Sequence, residues 1–119
     1  MSDAPRRHAS RPIPEIPVRE AYARLMASAD DRQPAVLIDV RERDEYAEGH
    51  AAGAVNLPLS ELRVRAGEVP RDRDVLLICH LGQRSMFAAK YLRHQGVDRV
   101  VNVDGGTEEW ERARLPMER

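Results

Sequence analysis

The chain has 119 residues, 42% of them hydrophobic and 33% charged, with a formal net charge of −1. That length suits one domain with one real core, and a balance so near neutrality gives no field that would favour nucleic acid or a membrane surface as partner. No apolar run approaches the roughly 20 residues of a membrane-spanning helix. A lone cysteine, Cys79, excludes an intrachain disulfide and a multi-cysteine zinc site.

Met1 to Pro14 is rich in Arg, Pro, Ser and Ala and has no apolar core of the kind a secretory signal needs, so it is expected to be a flexible leader to a single domain over 15–119. Ile16-Pro17 reads as a short edge strand or entry turn. Val18 to Ser28 places Val18, Ala21, Tyr22, Leu25 and Met26 on one helical face. Ala35 to Ile38 is a short continuous apolar run, as in a strand buried on both faces. Arg43 to Glu48 predicts a short helix stopped by Gly49. Ala54 to Leu57 predicts another strand, and Ser60 is placed to cap a helix through about Ala66. Asp74 to Ile78 is a strand, followed after a loop by a helix capped by Ser85 and stopped at Gly96. Arg99 to Val103 is a further strand. Gly105-Gly106 is a turn, and Thr107 is placed to cap a last helix carrying Trp110. Strands alternating with helices predict an α/β fold with a mainly parallel sheet covered on both faces.

Cys79 opens the run Cys79-His80-Leu81-Gly82-Gln83-Arg84-Ser85, between an apolar strand and a helix. The sulfur is therefore displayed at a strand's carboxyl end, where loop amides and a helix N-terminus favour an anion. Arg84 adds a charge that deprotonation cannot remove. Both effects favour a thiolate, so the run reads as a cysteine nucleophile in an anion cradle. Gly82 supplies the positive φ that such a tight loop needs. Leu81 and Gln83 are assigned to the rim, His80 to substrate contact or solvent, and Arg84 to closing the loop or meeting an anionic donor. For Ser85 a helix cap is preferred over a catalytic hydroxyl. His50 is expected to bond within the fold, Trp110 to sit in the core or a pocket wall, and His8 and His94 to be exposed. The four histidines have no ligand spacing with Cys79, so no metal is expected.

Three ordered blocks resemble the rhodanese-like domain family. They are Leu37-Ile38-Asp39-Val40-Arg41 with Glu45-Tyr46, Gly49-His50 and Gly53 to Pro58; then Cys79 to Ser85; then Asn102 to Gly106 with Trp110. The match covers roughly Glu15 to Leu115 and is similar to the single-domain bacterial members. Ala51 departs mildly from a position that is often β-branched. The resemblance implies a three-layer α/β fold, with a five-stranded, mainly parallel sheet and helices on both faces. It also implies sulfur transfer, without a cofactor, through a persulfide on Cys79. The donor would be thiosulfate or another persulfide, and the acceptor cyanide, a thiol or a protein. Asp39 and Arg41 fall at the sheet's carboxyl edge, where open α/β sheets place their sites. Asp39 is expected to accept structural hydrogen bonds, and Arg41 to face the pocket and attract an anion. A lone cysteine suits a reducing compartment, so the expected location is cytoplasmic.

Two rival readings belong to other classes. A cysteine phosphatase or arsenate reductase uses five residues between cysteine and arginine to cradle phosphate, whereas four separate Cys79 from Arg84 here. Rhodanese-like folds also serve as docking or sulfur-relay modules, and fold alone does not decide between these. Docking versions often lack the loop cysteine, which this chain keeps.

Overall fold

The computed structural model describes residues 11–119. In chain order these form β1 (Glu15–Pro17), α1 (Val18–Ala27), β2 (Val36–Asp39), α2 (Arg43–Glu48), β3 (His50–Ala51), β4 (Val55–Asn56), α3 (Leu62–Arg65) flanked by two 3₁₀ turns, β5 (Val75–Ile78), α4 (Gln83–His94), β6 (Val100–Asp104), α5 (Gly106–Arg112) and β7 (Met117–Glu118). The main sheet is five-stranded in the order β1-β6-β5-β2-β4. All its pairings are parallel. The fold is therefore the α/β architecture that the alternating pattern predicts.

Alternation along the strands builds a core on each side of the sheet. Val75, Leu77, Ile38 and Val100 face one layer, packed against Ala88, Ala89 and Leu92 of α4 and Leu62 of α3. Leu76, Ile78, Leu37, Val101 and Val103 face the other, against Val18 and Ala21 of α1 and Trp110 of α5. All four residues of β5 are buried, which is why that strand reads as a continuous apolar run and not an alternating one. Because the strands run the same way, Asp39 pairs with Ile78, and the segments after β2, β5 and β6 emerge along one carboxyl edge.

The structure departs from the sequence expectations in several places. The domain begins before residue 15. Ile13 is 8% exposed and joins the core, the Pro14 carbonyl accepts a hydrogen bond from the backbone N–H of Asn102, and Arg93 donates to the carbonyls of Arg11 and Pro12. Residues 1–10, the rest of the expected leader, and His8 with them, lie outside the described residues. Ser60 caps nothing: its hydroxyl donates to Glu42 at 2.7 Å, and α3 starts two residues later. Thr107 lies inside α5, which is capped by Gly105 in a left-handed conformation. A small antiparallel ribbon of β3 with β7 closes the structure behind Pro116. Its segments of two residues each have no periodicity to detect.

Candidate active site

The loop after β5 is built to turn one sulfur inward. Gly82 sits at φ +108°, a left-handed value that favours glycine, and α4 starts at the next residue. This turn brings the Gly82 N–H to 3.0 Å from Cys79 Sγ. Ser85, three residues further on and in the first turn of α4, donates its hydroxyl to the same sulfur at 3.2 Å. Cys79 is only 1% exposed and forms the floor of a cavity of about 200 Å³ whose walls are His80, Leu81, Gln83 and Arg84. Leu81 and Gln83 are exposed at the rim. Ser85 therefore does not cap the helix. Gly82 already occupies the cap position with no side-chain bond, which leaves the Ser85 hydroxyl free to turn to the sulfur.

A second element sets the direction of the loop's peptides. The N-terminal turn of α5 donates from Thr107 N to the Cys79 carbonyl at 2.7 Å and from Glu108 N to the His80 carbonyl at 3.1 Å. Helix N-terminal amides lack intrahelical partners, so they take these carbonyls without competing bonds. Gly106 makes this docking possible. A Cβ there would lie 2.5 Å from both carbonyl oxygens. From the sequence Gly105-Gly106 reads as a turn; two consecutive glycines ahead of a helix are also a sign of a close backbone approach.

Charged groups near the loop are largely paired with one another. Arg84 makes two hydrogen bonds to the Glu45 carboxylate, at 2.8 and 3.0 Å, tying the start of α4 to α2. That contact, above all its hydrogen bond, holds the Glu45 carboxyl down at about 2 and raises the Arg84 pKa in turn. Glu45 also accepts from the Glu42 amide, so one carboxylate starts α2 and anchors the loop. Glu45 falls within a family block of the sequence, where nothing marks it as a site residue. Its partner lies 39 positions away, a separation that local spacing does not reveal.

Asp39 and Arg41 form a buried pair. Asp39 accepts from the backbone amide and the guanidinium of Arg41, as a structural carboxylate would. Arg41 is 6% exposed and donates also to the Gly49 carbonyl. The residue expected to attract an anion to the pocket thus has its charge committed to Asp39 and lies outside the walls of the Cys79 cavity. His80 is half exposed and 3.5 Å from Glu108. His50 bonds the Tyr46 carbonyl through Nδ1 and stacks on its ring. Trp110 is fully buried, donating to the Pro116 carbonyl, and His94 is exposed. Among the described residues, no group of three or more His, Cys, Asp and Glu side chains is placed to hold a metal ion. Among the same residues, no helix is long and apolar enough to cross a membrane.

An open parallel sheet with a solitary, hydrogen-bonded cysteine on the loop after its central strand defines an α/β domain with a sulfur-centred candidate site. The family model described as the rhodanese-like domain matches residues 19–113, and the chain belongs to that family. An Allochromatium vinosum protein named "Sulfurtransferase" is 40% identical over 98 residues, covering 82% of this chain and 89% of that protein. A Bacillus subtilis protein, YrkF, provisionally named a sulfur carrier, is 38% identical over 98 residues; the match covers 82% of this chain and about half, 51%, of that longer protein. Among solved structures, a rhodanese-related protein from Thermoplasma volcanium superposes with a TM-score of 0.76 at 30% identity, covering 88% of this chain and 97% of that one. These relatives make sulfur transfer, with a sulfur donor and a sulfur acceptor, the general chemistry of the chain's kin.

Proposed function

We propose that this domain is a thiosulfate sulfurtransferase working through a persulfide on Cys79. The observation that carries the reading is the pair of donors, Gly82 N–H and Ser85 Oγ, that meet at one buried sulfur. Donors preset on a sulfur stabilise negative charge there by the logic of an oxyanion hole. The Cys79 thiolate attacks the outer sulfur of thiosulfate. A Cys79 S–S bond forms, the donor's S–S bond breaks, and sulfite leaves with the bonding pair. The anionic persulfide rests on the same donors. Cyanide or a thiolate then attacks its terminal sulfur, leaving as thiocyanate or a new persulfide and restoring the Cys79 thiolate.

The cavity of about 200 Å³ favours a small donor, being below the range of pockets for drug-sized ligands. A second thiol is not needed within the chain, because the acceptor completes the cycle. The provisional carrier name of the Bacillus subtilis relative favours one variant of this reading, in which Cys79 passes its sulfur to a protein thiol. A purely docking role is the weaker alternative, since nothing in docking calls for two donors on a buried sulfur. A cycle that starts from a free thiol at Cys79 suits a reducing, cytoplasmic setting.

Initial rates with donor and acceptor both varied test the scheme. A two-step cycle through a covalent enzyme intermediate gives parallel double-reciprocal lines. Intersecting lines would mean that both substrates bind before sulfur moves, and would overturn the persulfide route.

A further inference from the structure

Asn102 is a polar residue in the wrong place for packing. It lies on β6 between β1 and β5, paired with Glu15 on one side and Leu77 on the other, and it is fully buried. Its neighbours Val101 and Val103 face the α1 and α5 layer, so its side chain turns to the opposite face, the one Val100 and Leu77 occupy. An aliphatic residue would suit that row. A buried amide there is costly unless its polar atoms are bonded.

Its bonding is half complete, and the complete half points at the loop. Asn102 Nδ2 donates to the Gly82 carbonyl at 3.1 Å and to Glu15 Oε2 at 2.9 Å. Both partners are acceptors, so the amide orientation is fixed: reversing it would set oxygen against oxygen twice. Among the described residues, Asn102 Oδ1 has no hydrogen-bond partner. The chain thus keeps an amide with an unsatisfied oxygen where a hydrocarbon would pack. Such an exception calls for a physical account.

Resting on the sulfur-transfer reading, we infer that Asn102 is a positioning residue for that chemistry, acting through Gly82. Gly82 is held on both sides: its N–H bonds Cys79 Sγ and its carbonyl bonds Asn102. A glycine at positive φ has wide conformational freedom, so the direction of its N–H needs an external anchor. The Asn102 amide supplies that anchor from the rigid centre of the sheet, and Glu15 steadies the amide from the edge strand. A Cβ on Gly82 would come within 3.3 Å of Gly105 N, so the loop lies close against the β6 end where Asn102 can reach it. Asn102 is not among the walls of the Cys79 cavity; its effect passes through one peptide.

Two substitutions, Asn102→Leu and Asn102→Ala, remove the donor. The first keeps the volume, and the second only deletes atoms and so remains available if the first does not fold. Two quantities are read on each folded variant and on wild type: hydrogen exchange of the Gly82 amide by NMR, and single-turnover sulfur loading from thiosulfate. The inference expects Gly82 to exchange about tenfold faster or more, with the β5 and β6 amides unchanged. It also expects the maximal loading rate to fall at least about tenfold while half-saturation stays within about twofold, because a misaligned group weakens the transition state more than ground-state binding. Unchanged Gly82 exchange overturns the inference whatever loading does. Faster exchange with wild-type loading overturns it too, reducing Asn102 to a structural contact. If wild-type protein takes no sulfur from thiosulfate or from a small-molecule persulfide, the sulfur-transfer reading itself fails, and this role for Asn102 fails with it. That outcome is distinct because it is seen in wild type alone.

Discussion

Gly106→Ala is the substitution whose consequences the geometry defines most fully. Gly106 has φ +60°, and an added Cβ would stand 2.5 Å from the carbonyl oxygens of both Cys79 and His80, where real Cβ atoms come no nearer than 3.0 Å. The obstacle is backbone on both counts, so rotating a side chain cannot relieve it. A left-handed conformation costs an L-residue about 1–2 kcal/mol. Separating α5 from the loop strains or breaks the two bonds donated by Thr107 N and Glu108 N. At about 1 kcal/mol each, they bring the total to about 3–4 kcal/mol. For a chain of this size that corresponds to a fall in Tm of about 12–16 °C. The loss of activity is expected to be disproportionate. These carbonyl bonds set the tilt of the peptides that cradle the sulfur, and a shift approaching an ångström at a reacting group costs about a hundredfold in rate. The assay is a thermal melt beside single-turnover sulfur loading of Cys79 at a temperature where the variant is folded. A variant that melts within about 2 °C of wild type and loads sulfur at the wild-type rate would refute the claim that α5 orients the loop.

Two further perturbations separate the sulfur's donors from the loop's outer anchor. Ser85→Ala removes one of the two donors on Cys79 Sγ while leaving the backbone intact; sulfur loading is expected to slow at least about tenfold, and an unaltered rate would assign the hydroxyl to packing alone. Glu45→Gln tests the tie to Arg84 by pH. The Glu45 carboxyl is lowered from 4.5 to about 2, chiefly by its hydrogen bond from Arg84, so its stabilisation is complete above about pH 4.5 and is lost as pH falls through about 2. Both partners are about one-third exposed, so solvent screening reduces the effect to about 1 kcal/mol at neutral pH. Denaturant melts of wild type and variant should therefore differ at pH 7 and converge near pH 2; an equal difference at both would show that the charge is not what holds the two elements together.

The fold was legible because its signals are local. The apolar runs at Ala35 to Ile38 and Asp74 to Ile78, and the helical spacing from Val18, lie within a residue or two of β2, β5 and α1. The helix over Arg43–Glu48 was found with its stop at Gly49. What escaped depends on contacts between distant segments. The β3–β7 ribbon joins residues more than sixty positions apart. Ser85 and Thr107 have the chemistry of helix caps, yet in each case a glycine takes the cap position, which their side-chain type alone does not disclose. Ser85 then serves the sulfur instead. Arg41 stands where an anion-binding cation belongs in the sequence pattern, but a carboxylate two residues away holds it. Asn102 falls within the strand expected over Arg99 to Val103, but only the folded chain places its side-chain amide against Gly82.

The persulfide route requires that Cys79 carry sulfur. The intact mass of wild type and Cys79→Ser, taken after thiosulfate and again after cyanide, measures this directly. The persulfide route predicts a gain of one sulfur atom on wild type only, removed by cyanide. A mass unchanged by thiosulfate and by small-molecule persulfides, or the same gain on Cys79→Ser, would contradict it.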